Sequence, residues 1–152
     1  MKYLYVIIPL IIIFIGIYIK IKINEKKLKE EAISLFHHYG SYNDENHTIT
    51  IDEETYQIVF FKVPGFGELT INSLKIWELN GRGGQKLFYM DKYLSSPLKK
   101  IIIVYPNVAP IKRYINENEM VFVKHSFFNK MYVIRYPELK DFLNKLGETN
   151  EI

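Results

Sequence analysis

The sequence predicts an α/β domain, a mixed central sheet flanked by helices, hung from one N-terminal transmembrane helix. Three observations carry this. Tyr3 to Ile19 (YLYVIIPLIIIFIGIYI) is an uninterrupted apolar run. Thr55 to Val63 and Lys100 to Tyr105 are too apolar for either face to meet water, as in strands covered on both sides. Leu28, Ala32, Leu35, Phe36 and Tyr39, and later Leu139, Phe142, Leu143 and Leu146, recur at helical spacing.

The apolar run is 17 residues, about 25 Å as a helix, at the short end for a bilayer span. Ile21 and Ile23 extend it, and Lys20 and Lys22 can snorkel to the headgroups. Tyr3, Tyr5 and Tyr18 near its ends suit the interface. A cleaved signal peptide would place small residues after its apolar core. KIKINEKKLK follows instead, so the segment reads as a retained anchor over residues 1–24. Residues 1–29 carry six lysines against one acid, Glu25, and five of those lysines follow the span. The positive-inside rule then puts the amino terminus outside and the domain in the cytoplasm of a single-pass cell-membrane protein.

The remaining chain is long enough for one compact core, expected over residues 25–147, with 148–152 as a flexible tail. The absence of cysteine removes disulfides, thiol catalysis and cysteine-ligated metals. Beyond residue 29 the chain holds fewer bases than acids, so the overall charge of +3 comes from the membrane-proximal segment. A domain face that attracts nucleic acid is not implied by that balance.

In chain order, Glu25 to Tyr39 forms a helix that Gly40 ends. Thr48 to Ile51 and Thr55 to Val63 form a hairpin around Asp52-Glu53-Glu54. Glu68 to Leu79 is a third β-like run, and Asn80 to Gly84 a turn. Gln85 to Leu94 is helical or irregular. Lys100 to Tyr105 is a central, parallel strand. Val108 to Ile115 is a short helix with Val108, Ile111 and Ile115 inward. Met120 to Val123 is a strand, His125 to Lys130 a loop, and Met131 to Arg135 the last strand. Pro137 opens the final helix and Gly147 stops it.

Lys62, near the end of an apolar strand, has two readings. It is a side chain snorkelling to the sheet edge, or the lysine of a nuclease centre in which acids hold a metal and activate water. The order strand, turn, strand ending in Lys62, then Gly67 and Trp77, with Gln85 later, resembles the NERD (nuclease-related) domain. IIIVYPN resembles its later core strand, and MYVIRYPELKDFLNKL its closing strand and helix. The resemblance spans roughly residues 30–146 and implies a restriction-endonuclease-like fold.

The departures bear on chemistry. Where that family has the glutamate of Glu-x-Lys, this chain has Phe60, and thirteen positions earlier it has His47 in place of an acid. Neither offers the oxygen ligands that Mg²⁺ prefers. Of the nearby acids, only Glu68 is positioned in sequence to fold back toward Lys62. Lys62, Gln85 and Glu68 are therefore the candidate catalytic set, degenerate by the family's pattern. No metal site and no cofactor follow, with Mg²⁺ or Mn²⁺ required only by an active nuclease.

Glu30 to Glu54 holds seven acids and no base, whereas Arg82 to Arg113 holds seven bases and one acid, Asp91. Arg82, Lys86, Lys92, Lys99, Lys100, Lys112 and Arg113 form a candidate anion-binding patch if they share a face, or they pair with the acidic segment. Three functions follow. The first is a catalytically inactive interaction module that binds a protein partner or nucleic acid. The second is a divergent membrane-tethered nuclease, and the third an accessory subunit of a membrane complex.

Overall fold

The computed structural model describes residues 4–65, 67–125 and 127–148. The expectations for Tyr3, Lys2 and residues 149–152 lie outside them. Among the described residues the chain forms three layers: two helices, a six-stranded sheet, and a five-stranded sheet.

Helix α1 (Leu4–Tyr39) is 36 residues long, about 54 Å. Between Ile17 and Tyr39 it has no glycine or proline, and Lys26–Glu30 and Lys27–Glu31 pairs support its exposed side. Anchor and domain helix are thus one rod, with no break at residue 24. None of the side chains from Ile7 to Ile23 is buried by the domain. The helix is long and apolar enough to cross a bilayer. From Ala32 onward it is buried by the domain, with Ala32 and Phe36 at 0% exposure. Gly40 then turns the chain into the sheet, where a β-carbon would run into the carbonyl of Thr50.

The first sheet comprises β1 (Ser41–Asn43), β2 (Thr48–Ile51), β3 (Glu54–Val63), β7 (Lys99–Pro106), β11 (Met131–Arg135) and β10 (Phe127–Phe128), in that order. The β2–β3 hairpin turns through Asp52 and Glu53, both at positive φ (46° and 69°). That is the mirror-image turn whose twist matches a right-twisted hairpin. The central strands β3, β7 and β11 run parallel, with Val59 beside Ile102 and Val133 beside Ile102 on the other side. The expected neighbouring buried strands are therefore present, with the expected direction.

Side chains alternate across β3. Val59, Phe61 and Val63 face the second sheet. Tyr56, Ile58 and Phe60 face α1 and α3 (Leu139–Glu148). A 3-10 turn (Tyr136–Glu138) with Pro137 leads into α3, whose Leu139, Phe142 and Leu143 are buried. It continues through Gly147 to Glu148, past the expected stop.

The second sheet corrects the sequence-based reading in three places. Its order is β6 (Gly84–Tyr89), β5 (Ile76–Gly81), β4 (Glu68–Ile71), β8 (Lys112–Asn116) and β9 (Glu119–Phe122). The run from Glu68 to Leu79 is a hairpin, not one strand, because Ser73 Oγ accepts from Ile76 N–H and turns the chain. The stretch after Gly84 is mostly strand, since the Arg82-Gly83 turn lays it antiparallel on β5; only α2 (Asp91–Leu94) is helical. The expected helix from Val108 to Ile115 is absent, because Lys112–Asn116 pairs as a strand between β4 and β9. Ile111 is buried there, but Val108 and Ile115 are exposed. The central sheet therefore has α1 and α3 on one face, and Leu69, Ile71, Trp77, Leu79 and Ile111 of the second layer, with Tyr93 and Leu94 of α2, cover the other.

Candidate functional site at the carboxyl ends of the parallel strands

The parallel strands β3 and β7 end side by side at Val63 and Pro106, and β11 ends at Arg135, beside Val104. In open α/β sheets the crevice beyond these ends is where ligands bind. Here α1 leaves the domain through that crevice.

Glu25 of α1 is 9% exposed. Its two carboxylate oxygens lie 2.6 and 2.7 Å from Lys62 Nζ. Lys62 follows Phe60 in the helix-facing row of β3, so the strand's alternation aims it at α1. The hydrogen bond to Glu25 is the main cause that holds the Lys62 ammonium above its usual range. One turn beyond Glu25, Lys29 Nζ sits 5.5 Å from the Phe60 ring centre and 5.4 Å from that of Tyr105. Lys22, Glu25, Lys26, Lys29 and Tyr105 line a pocket of about 230 Å³. On the other side of Glu25 a larger groove, about 640 Å³, opens between α1 and the loops at Gly65 and Pro106.

Asn107 fixes these loops. It is 2% exposed. Its amide donates to the carbonyls of Pro64 (2.8 Å) and Gly67 (3.0 Å), and its side-chain oxygen accepts from Ala109 N–H. The loop after β3 and the loop after β7 are thereby one unit. Gly67 has φ of 132°, and a β-carbon there would come within 2.8 Å of Leu79 Cδ1, so glycine is required.

The candidate catalytic residues do not converge. Glu68 pairs with Lys112 at 2.7 Å. It lines an outer groove of about 700 Å³ with Thr70, Glu78 and Tyr114. Gln85 stands exposed on β6 and hydrogen-bonds Glu78, whose carboxyl is held low by Asn80, then Gln85, then Asn72. The partner of Lys62 is Glu25, which lies outside the span of the family resemblance. His47 sits in the turn before β2, where Tyr42 Oη is 3.1 Å from its Nδ1. Its carbonyl accepts from Ile58 N–H. Ile58 is four residues before Lys62, about 13 Å along the strand. Phe60 packs between Phe36 and Tyr105. Trp77 is fully buried against Phe61. Among the described residues, no three His, Asp or Glu side chains are grouped to hold a metal ion.

The seven basic residues do not share one face. Lys99 pairs with Glu54 at the amino end of β7, so part of the acidic segment is indeed a partner. Lys100 is 3% exposed and donates to the carbonyls of Ser96 and Leu98; burial, and then Lys130, lower its pKa. Tyr56 is beside Lys99 and Lys62 beside Tyr105, so Lys99 and Lys100 lie about 17–20 Å along the sheet from Lys62. Lys112 is taken by Glu68, and Arg113 stacks on Phe128 at 4.2 Å. Lys86 and Lys92 lie over Phe88 and Tyr93. Arg82 lines a separate depression with Pro64 and Lys86.

Sequence reasoning missed Glu25, Lys29, Tyr105 and Asn107. Only Glu25 left a signal, as the one acid among the first 29 residues. Comparison with protein-family models, curated proteins and solved structures finds no match.

Proposed function

We propose that this chain is a membrane-anchored, catalytically silent module of NERD-like descent. In this reading it holds a protein partner at the cytoplasmic face of the membrane. The observation that carries it is the Glu25–Lys62 pair. A lysine that orients a metal-bound water needs carboxylates facing a substrate. The carboxylate on Lys62 belongs to the anchoring helix, and both its oxygens are engaged by the one ammonium. The pair ties the domain to its membrane stem.

The partner surface in this reading is the β8–β9 edge. Tyr114, Ile115, Met120, Val121 and Phe122 are exposed, between 36% and 55%. β9 has a neighbour on one side only. An apolar edge strand offers backbone hydrogen bonds and side-chain anchors to an added strand. The lysines of residues 20–29 supply the orientation.

Two measurements on the full chain test this. In detergent with Mg²⁺ or Mn²⁺ it should leave single- and double-stranded DNA and RNA uncut. A photo-crosslinker at Phe122, in native membranes, should give one discrete adduct that a crosslinker at Lys140 does not. Nucleolysis abolished by both Lys62→Ala and Glu68→Ala would restore the nuclease, and identical adducts from the two positions would remove the edge.

A further inference from the structure

We propose that the groove beside Glu25 binds one anionic phospholipid, gripping it where α1 leaves the bilayer. Lys20, Ile23, Asn24 and Lys27 recur at i, i+3, i+4 and i+7, so they form one stripe of α1. Ile21 and Glu25 flank the stripe, and Gly65 and Pro106 form the opposite wall. The stripe begins directly after the apolar run and rises about 10 Å from Lys20 to Lys27. That is the depth of the glycerol and phosphate of a lipid whose chains lie beside the run.

The charge of the groove points the same way. Among the described residues Glu25 is its one acidic lining residue, and Lys62 occupies both oxygens of that carboxylate. What remains for a ligand is the positive charge of Lys20 and Lys27. Lys27 has only a loose, exposed pairing with Glu31 at 3.6 Å. Around the helix, Lys22, Lys26 and Lys29 add to the same positive potential. Between the lysines the wall is isoleucine, glycine and proline. A small inorganic anion would leave that wall wet, whereas an amphiphile covers it. The 640 Å³ of the groove suits a headgroup with its glycerol. The inference rests on α1 being seated in a bilayer and is independent of partner binding at β9.

The test uses the full chain in nanodiscs of phosphatidylcholine with a minor share of phosphatidylglycerol, released into the gas phase for native mass spectrometry. The wild type should retain one phosphatidylglycerol per chain, enriched at least tenfold over its share of the bilayer. Lys20→Gln/Lys27→Gln should lower retention by roughly tenfold or more, as expected of two headgroup lysines. Lys124→Gln/Lys140→Gln, the same charge change at exposed distant sites, should not. Gly65→Leu separates a built groove from general attraction. A β-carbon at Gly65 meets nothing within 4 Å, so the leucine fills the groove without altering charge and should also release the lipid. Equal retention of the two lipids, equal loss in the control pair, or full retention in Gly65→Leu would each overturn the proposal. So would displacement of the lipid by millimolar inorganic phosphate or by a short oligonucleotide. Resistance of the chain to alkaline extraction from membranes checks the anchor by itself.

Discussion

Asn107 reaches across from the end of β7 to hydrogen-bond the carbonyl of Gly67, 40 residues earlier in the chain. With its bond to the Pro64 carbonyl, it satisfies the donors of its own buried amide and ties the loops after β3 and β7 together. Asn107→Ala leaves both carbonyls without a donor. We expect a loss of about 2–4 kcal/mol, read as a lowered midpoint in chemical denaturation of the full chain in detergent. Asn107→Asp keeps the acceptor for Ala109 but not the donors, and should be nearly as harmful. An unchanged midpoint in both would show that the staple contributes nothing.

The Glu25–Lys62 pair should couple in a double-mutant cycle. The Lys62 side chain is 48% exposed and that of Glu25 12%, so solvent screening limits the coupling to about 1 kcal/mol. Its pH dependence has a definite sign. The Lys62 pKa is raised above its ordinary 10.5 by Glu25. The stabilisation is therefore complete below that value and fades as pH climbs through the raised one. Glu25→Gln removes the cause of that raised pKa, so it should lower stability at neutral pH and flatten the alkaline fall that Lys62 contributes. Superimposable alkaline limbs for wild type and variant would contradict the pairing.

Glu53 holds φ at 69° in the β2–β3 turn, a conformation that L-residues adopt at a penalty. Glu53→Gly should raise stability by about 0.5–1 kcal/mol, with Asp52→Gly giving less because aspartate tolerates this region. A destabilised Glu53→Gly chain on thermal unfolding would mean the side chain has a role beyond the turn.

Trp77 is fully buried, and its Nε1–H has no acceptor among the described residues. Trp77→Phe removes that unmet donor while keeping an aromatic body against Phe61. The two effects oppose each other, so its cost should stay below about 1.5 kcal/mol. Trp77→Ala empties the space between the sheets and should cost about 3–5 kcal/mol. Urea titration followed by circular dichroism separates the two. Equal losses would sink the claim that the indole contributes by volume.

Periodicity made four strands of the first sheet legible, while the three-residue β1 went unread and the two-residue β10 fell in the stretch expected to be a loop. Thr55 to Val63, Lys100 to Tyr105 and Met131 to Arg135 are runs whose apolarity admits only buried strands, and they are strands. The second sheet hid because its strands are short and half exposed. β6 shows no buried residue and β9 none, so they carry no inward pattern for the eye to find. The site was harder still. Lys62 stood out by its place in an apolar strand, but its partner lies 37 residues earlier, at the first residue of the helix read as starting the domain. No spacing rule links a membrane-exit helix to a strand end. That link exists only once α1 packs along β3 through Ala32 and Phe36.

Because α1 passes from the apolar span into the core without a hinge, the domain does not swing on a leash. A flexible tether would let it sample a hemisphere above the membrane. With α1 seated in a bilayer as proposed, a rod clamped at Glu25 would confine it to one height and a narrow cone of tilt. A partner-binding β8–β9 edge, if the proposed reading holds, would then meet targets in the same plane at a local concentration far above that of a free domain. A change in bilayer thickness that tilts the helix would tip that surface with it.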